Sequence, residues 1–311
     1  MKYYLSLCLI FIYSLGFNAD ANEIVKPKKG KIAQINKDPL DDGIIKILAI
    51  GNSFSEDGIE NYLYDLAKTT NKKIVIGNLY IGGAPLSLHL KNALQDKSVY
   101  SYRKIDLDGK KTATKNTSIA TAIADDNWDY ISLQQASSFS GQLETYTASL
   151  DSLKKYVVNQ VKTENTKYIL HQTWAYAQSS THAGFKNYNN SQTEMYNAIV
   201  KTSRTVFENK IYNFYMLVPS GTAIQNMRTT YIGDKLTRDG YHLELNYGRF
   251  TAACTWYEKL FKANVLKNDF VPKTIAPEIA LMAKTAAHEA VKKPYEVTVL
   301  KKFAVKKEAS N

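Results

Sequence analysis

Five short runs of apolar, largely β-branched or aromatic residues recur along the chain with helix-forming patterns between them. No other feature restricts the fold as strongly. The runs are IIKILAIG (44–51), KKIVIGNLYIGG (72–83), DYISLQQ (129–135), KYILHQTW (167–174) and IYNFYMLVP (211–219). Runs of this length with little polar alternation belong to strands buried on both faces. The intervals carry helix candidates over 58–70, 85–94, 118–125, 145–162, 189–208 and 246–262, with a last one over 276–291. Strand–helix alternation predicts right-handed crossovers and an α/β chain, its mainly parallel five-stranded sheet covered by helices on both sides. One interval departs from the rhythm. VYSYRKIDLDGKKTAT (99–114) alternates around Asp108-Gly109 and reads as a hairpin inserted before the third strand, either bordering a ligand cleft or decorating an edge. No repeat or second core is evident, so one domain is expected over 44–292, after a polar lead-in (22–43) and before a C-terminal tail (293–311).

The opening MKYYLSLCLIFIYSLGFNADA has one lysine, an apolar stretch over 3–17 and small residues at Ala19 and Ala21. This is the pattern of a secretory signal peptide over 1–21, with the mature chain beginning near Asn22; an uncleaved anchor is the alternative. The expectation is a secreted or periplasmic protein with no stable membrane insertion after cleavage. Cys8 would leave with the signal, and Cys254 alone cannot form an intramolecular disulfide. A formal charge of +11 raises nucleic acid or an acidic polymer as a partner. The lysines are scattered, however, and their clusters at 26–29, 301–302 and 306–307 sit near the chain ends, where solvated tails explain them. No nucleic-acid partner is expected, while a weak preference for anionic polysaccharide stays open.

In a parallel sheet, ligands sit at the carboxyl ends of the strands, where loops and helix N-termini converge. The first run ends in such a place, at Gly51-Asn52-Ser53. Ser53 there is either a helix cap or a nucleophile, with Ser55 the more natural cap. A neutral hydroxyl needs a base, and the base needs a partner that fixes its tautomer. Asp239-Gly240-Tyr241-His242 supplies both types three residues apart, ahead of a helix pattern, with a glycine that lets the loop bend.

GNSFS at 51–55, Gly82-Gly83 after the second run and Asp-x-x-His at 239–242 together resemble the SGNH (GDSL-type) hydrolases, over roughly residues 44–262. Within that family the likeness is to secreted bacterial members regarded as carbohydrate esterases. The resemblance implies a flavodoxin-like three-layer α/β/α sandwich and ester hydrolysis through a serine-bound acyl intermediate. It makes Ser53 the nucleophile, His242 the general base and Asp239 its orienter, with an oxyanion held by the backbone N–H groups of Ser53 and Gly83. The family's asparagine donor in a G-x-N-D pattern is missing. Gln135 is expected to donate its amide instead, with Gln134 as the rival.

His171, Trp174 and Tyr176 follow the fourth run on the cleft side and form a candidate sugar platform, or simply pack the strand end. His89, His182 and His288 have no partner at metal-ligand spacing, so neither metal nor cofactor is expected. Asn52, Glu56 and Asp57 read as helix-terminus residues rather than a carboxylate site. The sequence therefore points to an esterase acting on a small-molecule or glycan ester, with short acyl groups, acetyl foremost. Its rivals are a lipase or thioesterase of the same fold and a non-catalytic sugar-binding protein.

Overall fold

The first apolar run forms strand β1 (Ile44–Gly51), whose side chains alternate between two cores: Ile47 and Ala49 enter one, Leu48 and Ile50 the other. The computed structural model describes residues 43–305, so the expected signal peptide, most of the lead-in and the lysines at 306–307 lie outside the described residues. The remaining strands are β2 (Lys73–Tyr80), β3 (Tyr100–Ile105), β4 (Lys111–Thr117), β5 (Tyr130–Leu133), β6 (Lys167–His171) and β7 (Met216–Val218). All seven join one sheet in the order β4-β3-β2-β1-β5-β6-β7. Taken alone, the parallel strands run β2-β1-β5-β6-β7, a flavodoxin-like order whose direction of winding reverses between β1 and β5.

Five parallel strands were the expectation, and the sheet has seven because the hairpin adds two. Strand β3 pairs antiparallel with β2, Ile76 opposite Ile105 and Tyr80 opposite Ser101, and β4 pairs with β3 outside it. The alternation in β3 turns Tyr100 and Tyr102 into the core on one face and Ile105 into the core on the other, so the hairpin covers an edge of β2 that would otherwise be open.

Among the described residues, ten α-helices complete the layers. Helices α1 (Ser53–Ile59), α2 (Leu63–Thr69), α9 (Tyr247–Phe261) and α10 (Pro277–Lys292) supply the core on one face. On the other face lie α3 (Leu86–Leu94), α4 (Ile119–Ala124), α5 (Leu143–Thr147), α6 (Leu150–Gln160) and the C-terminal part of α7 (Gln192–Glu208). A third apolar cluster joins Phe54, Trp174 and Tyr176 to α7, α8 (Ser220–Met227) and α10. The helix expected over 58–70 is two helices, because Tyr62 adopts a left-handed φ of 60° between them, and α1 begins five residues earlier than expected. The one expected over 145–162 likewise divides, at Ala148-Ser149. Residues 293–305, expected as a tail, pack on the domain: Leu300 and Phe303 are buried, Thr298 N–H donates to Asn226, and Tyr231 N–H donates to the Phe303 carbonyl. Among the described residues, no helix is long and apolar enough to cross a membrane.

Candidate active site

Strand β1 delivers the chain to Asn52, whose extended backbone lets its side-chain oxygen accept the Phe54 N–H at 3.0 Å and cap α1. The cap is thus Asn52 rather than Ser55, whose hydroxyl lies between the Asn52 carbonyl and Asn78 Oδ1. Ser53 becomes the first residue of the helix, with its hydroxyl in a cleft of about 450 Å³. A second loop meets it there. In Asp239–His242, Gly240 takes a φ of +91°, which glycine adopts without strain. Asp239 Oδ1 then accepts the backbone N–H groups of Tyr241 and His242, leaving Oδ2 for the imidazole.

Across 189 residues of sequence, His242 Nε2 lies 2.9 Å from Ser53 Oγ, and its Nδ1 lies 2.6 Å from Asp239 Oδ2. A carboxylate accepts only, so Nδ1 carries the proton and the Nε2 lone pair faces the serine hydroxyl. Burial pushes the Asp239 carboxyl up, but hydrogen bonds from the His242 ring and from the backbone of His242 and Tyr241 outweigh it and hold the group below the ordinary carboxylate range. This line can take a proton from Ser53 and return it to a leaving group. Gly83, in the loop after β2, has a φ of +65° and exposed backbone beside the same cleft. No backbone bond to the N–H of Ser53 or Gly83 is found among the described residues, so both donors are open to a ligand.

The glutamines behave otherwise. Gln135 Nε2 donates to the carbonyl and hydroxyl of Thr145 at 3.1 and 3.0 Å, and its Oε1 accepts from Leu86 and Ala136 N–H, both at 2.9 Å. Its amide ties α5 to the start of α3, and the expected oxyanion role is not met. Gln134 is no substitute, since its Nε2 donates to Asn52 Oδ1 at 2.8 Å and its Oε1 accepts from His171 Nδ1 at 2.7 Å.

His171, Trp174 and Tyr176 are all buried and do not line the cleft, which corrects the expected platform. His171 completes a buried line, Ala84 carbonyl–Asn52–Gln134–His171–Ser220, that spans the ends of β1, β5 and β6. Burial drives its pKa down to about 3, so the ring stays neutral, donating from Nδ1 and accepting from Ser220 at Nε2. Trp174 stacks on Phe54 at 4.3 Å and donates to the Tyr241 carbonyl, bracing the His242 loop from behind. Tyr176 meets the Ser137 hydroxyl at 2.8 Å. The walls of the cleft come instead from Tyr80, Tyr241, Ser138 and His182. The hairpin contributes indirectly: Arg103 of β3 lies 3.9 Å over the Tyr80 ring while pairing with Glu56.

Asp57 is the residue the sequence hides. Its carboxylate is wholly buried and accepts from Arg238 Nη1 at 3.1 Å, Arg249 Nε at 2.7 Å and Leu243 N–H at 2.8 Å. Helix α1, which carries Ser53, is thereby fastened to both ends of the loop that carries Asp239 and His242. A first-turn acid gives no hint of partners more than 180 positions away; the arginines flanking the Asp-x-x-His motif were the available signal. Of the other histidines, His89 is buried against Tyr100, and His288 pairs with Glu258 at 2.7 Å. No group of three or more metal-ligating side chains occurs among the described residues.

Residues 46–290 match the family described as "Domain of unknown function (DUF4886)", and the chain belongs to it. It is similar to the crystal structure of a DUF4886 family protein from Bacteroides uniformis, with 45% identity and a TM-score of 0.82 over 84% of this chain and 99% of that one. More distant likenesses include a proposed SGNH hydrolase from Slackia heliotrinireducens, at 19% identity and a TM-score of 0.43 over 70% of this chain and 98% of that one. Another is a catalytic mutant of an acetylxylan esterase from Geobacillus stearothermophilus, at 15% identity and a TM-score of 0.46 over 70% and 94%. No curated protein matches.

Proposed function

We propose that this chain is a secreted or periplasmic serine esterase of the SGNH type that removes short acyl groups, acetyl foremost, from carbohydrate. The observation that carries the reading is the continuous line from Asp239 through His242 to Ser53, with both contacts at hydrogen-bond distance. A sugar-binding protein has no use for an imidazole aimed at a hydroxyl. In the reaction, Ser53 Oγ attacks the ester carbonyl carbon as His242 Nε2 accepts its proton. The carbonyl oxygen becomes the oxyanion and takes hydrogen bonds from the N–H groups of Ser53 and Gly83. Protonated His242 then gives its proton to the departing sugar oxygen, leaving acyl-Ser53. Water, deprotonated by the same imidazole, attacks the acyl carbon and releases the carboxylic acid and free serine. Asp239 keeps the tautomer correct throughout and balances the transient imidazolium.

A short acyl group suits a cleft whose walls are tyrosines, serines and histidines rather than an aliphatic channel, which disfavours a lipase. Export rests on the signal-like segment at 1–21. Purified protein lacking that segment is expected to hydrolyse 4-nitrophenyl acetate, to prefer acetyl over octanoyl esters, and to lose turnover on Ser53→Ala without a change in its circular dichroism. Equal product release by wild type and variant would dismiss Ser53, and octanoyl preference would dismiss the carbohydrate reading.

A further inference from the structure

The chain carries a formal charge of +11, yet no lysine, arginine, aspartate or glutamate side chain lines the cleft among the described residues. A ligand bearing a carboxylate or phosphate would find no countercharge at the walls. What the walls offer is uncharged and polar. His182 Nδ1 accepts the Gly184 N–H at 3.0 Å, which fixes the ring proton on Nε2, and no partner for that proton is found among the described residues. The hydroxyls of Tyr241 and Ser138 make no hydrogen bond among the described residues either, whereas that of the neighbouring Ser137 is engaged by Tyr176. These groups are set on a rigid support. His182 caps a 3-10 turn (Ala183–Tyr188), and Asn187 and Tyr188 both donate to the Ser138 carbonyl. The His182 ring lies edgewise 4.7 Å from that of Tyr241, which lies 4.1 Å from that of His242.

Resting on the esterase reading, we infer that His182, Tyr241 and Ser138 form the subsite for the alcohol portion of the ester. It takes an uncharged pyranose, with His182 Nε2–H donating to an oxygen of the ring beside the scissile bond. The 450 Å³ of the cleft accommodates one sugar with its acyl group. Burial, with the nearby His242 adding to it, keeps His182 neutral further into acid than an ordinary histidine, so the pattern of one acceptor and one donor persists.

The test uses His182→Asn, which retains a side-chain oxygen able to cap Gly184 but removes the reaching N–H. Wild type and variant are compared on an acetylated neutral methyl pyranoside and on 4-nitrophenyl acetate, which has no sugar. The expected result is a fall in kcat/KM for the pyranoside about tenfold greater than for the aryl ester, the size of one neutral hydrogen bond. In wild type, the neutral pyranoside should also outperform its uronic acid counterpart. Equal losses on both substrates would mean that His182 acts through His242, and equal retention would mean no contact; either overturns the subsite. Wild type that cleaves the aryl ester but no acetylated pyranoside overturns the subsite while leaving the esterase standing. Wild type that cleaves no ester removes both.

Discussion

Replacing Asp57 with asparagine isolates the fastening between the two halves of the site. The native carboxylate is fully buried and serves three donors, two of them guanidinium groups on Arg238 and Arg249. An asparagine oxygen can keep one of those bonds, while its amide turns N–H groups toward positive charge. Removing one partner of a buried ion pair costs about 3–5 kcal/mol, chiefly because the other charges are left uncompensated. Arg238 is about a third exposed and recovers some hydration, so the lower half of that range is expected. Domains of this kind are stable by about 5–15 kcal/mol, so the variant should remain folded at 25 °C, with a clearly lower urea midpoint. The kinetic effect follows from geometry, since a displacement of about 1 Å at a catalytic group costs about 100-fold in rate. Urea unfolding followed by tryptophan fluorescence and initial rates on 4-nitrophenyl acetate would measure the two effects on one preparation. Glu56→Gln is the control, because its partly exposed pairs with Arg103 and Arg249, the latter at 3.8 Å, should be worth about 1 kcal/mol or less. Asp57→Asn with a loss below about 1 kcal/mol and an unchanged rate would refute the fastening.

Gln135→Ala should strip partners from the buried N–H groups of Leu86 and Ala136, costing about 2–4 kcal/mol, while kcat falls far less than the roughly 100-fold expected of a lost oxyanion donor; a large kcat loss at unchanged stability would restore the oxyanion role. Acid should weaken the fold before carboxylates titrate. Burial holds His89 and His171 at about 4 and about 3, against 6.5 when free, so the unfolded chain takes up protons first. Their contribution is complete above about pH 6.5 and falls as pH drops towards those values, by on the order of 2 kcal/mol per histidine at pH 5. Urea midpoints at pH 7 and pH 5 test this, with His89→Gln reducing the difference; identical midpoints in wild type would contradict it.

Much of the fold was legible because buried parallel strands leave unbroken apolar runs. All five parallel strands fall inside the predicted segments, and α3, α9 and α10 lie within a residue of their expected ends. The hairpin was legible as local alternation, but its attachment to the open edge of β2 is a tertiary fact. In the site, Ser53, Asp239 and His242 were readable because each sits at a strand end or in a loop with tell-tale spacing, and the structure brings the three together. The glutamines were not. Adjacent residues at a strand end point to opposite faces, so Gln134 and Gln135 enter different environments, and nothing in Gln-Gln says which neighbours await. His171 and Trp174 lie at the expected end of the sheet, yet what buries them is distant in sequence: Trp256 of α9 lies 5.0 Å from the His171 ring, Phe54 of α1 stacks on Trp174, and α8 brings Ser220 to His171. Asp57 escaped because its partners are distant in sequence.

The outermost strand, β4, turns six consecutive exposed residues to solvent, Lys111 and Lys115 among them, and the opposite margin of the sheet, β7, is only three residues long. Another chain docking along β4 would have to dehydrate ammonium groups and threonine hydroxyls, and one docking along β7 would gain too few backbone bonds to hold. Both margins therefore disfavour the strand-by-strand stacking that seeds fibrils.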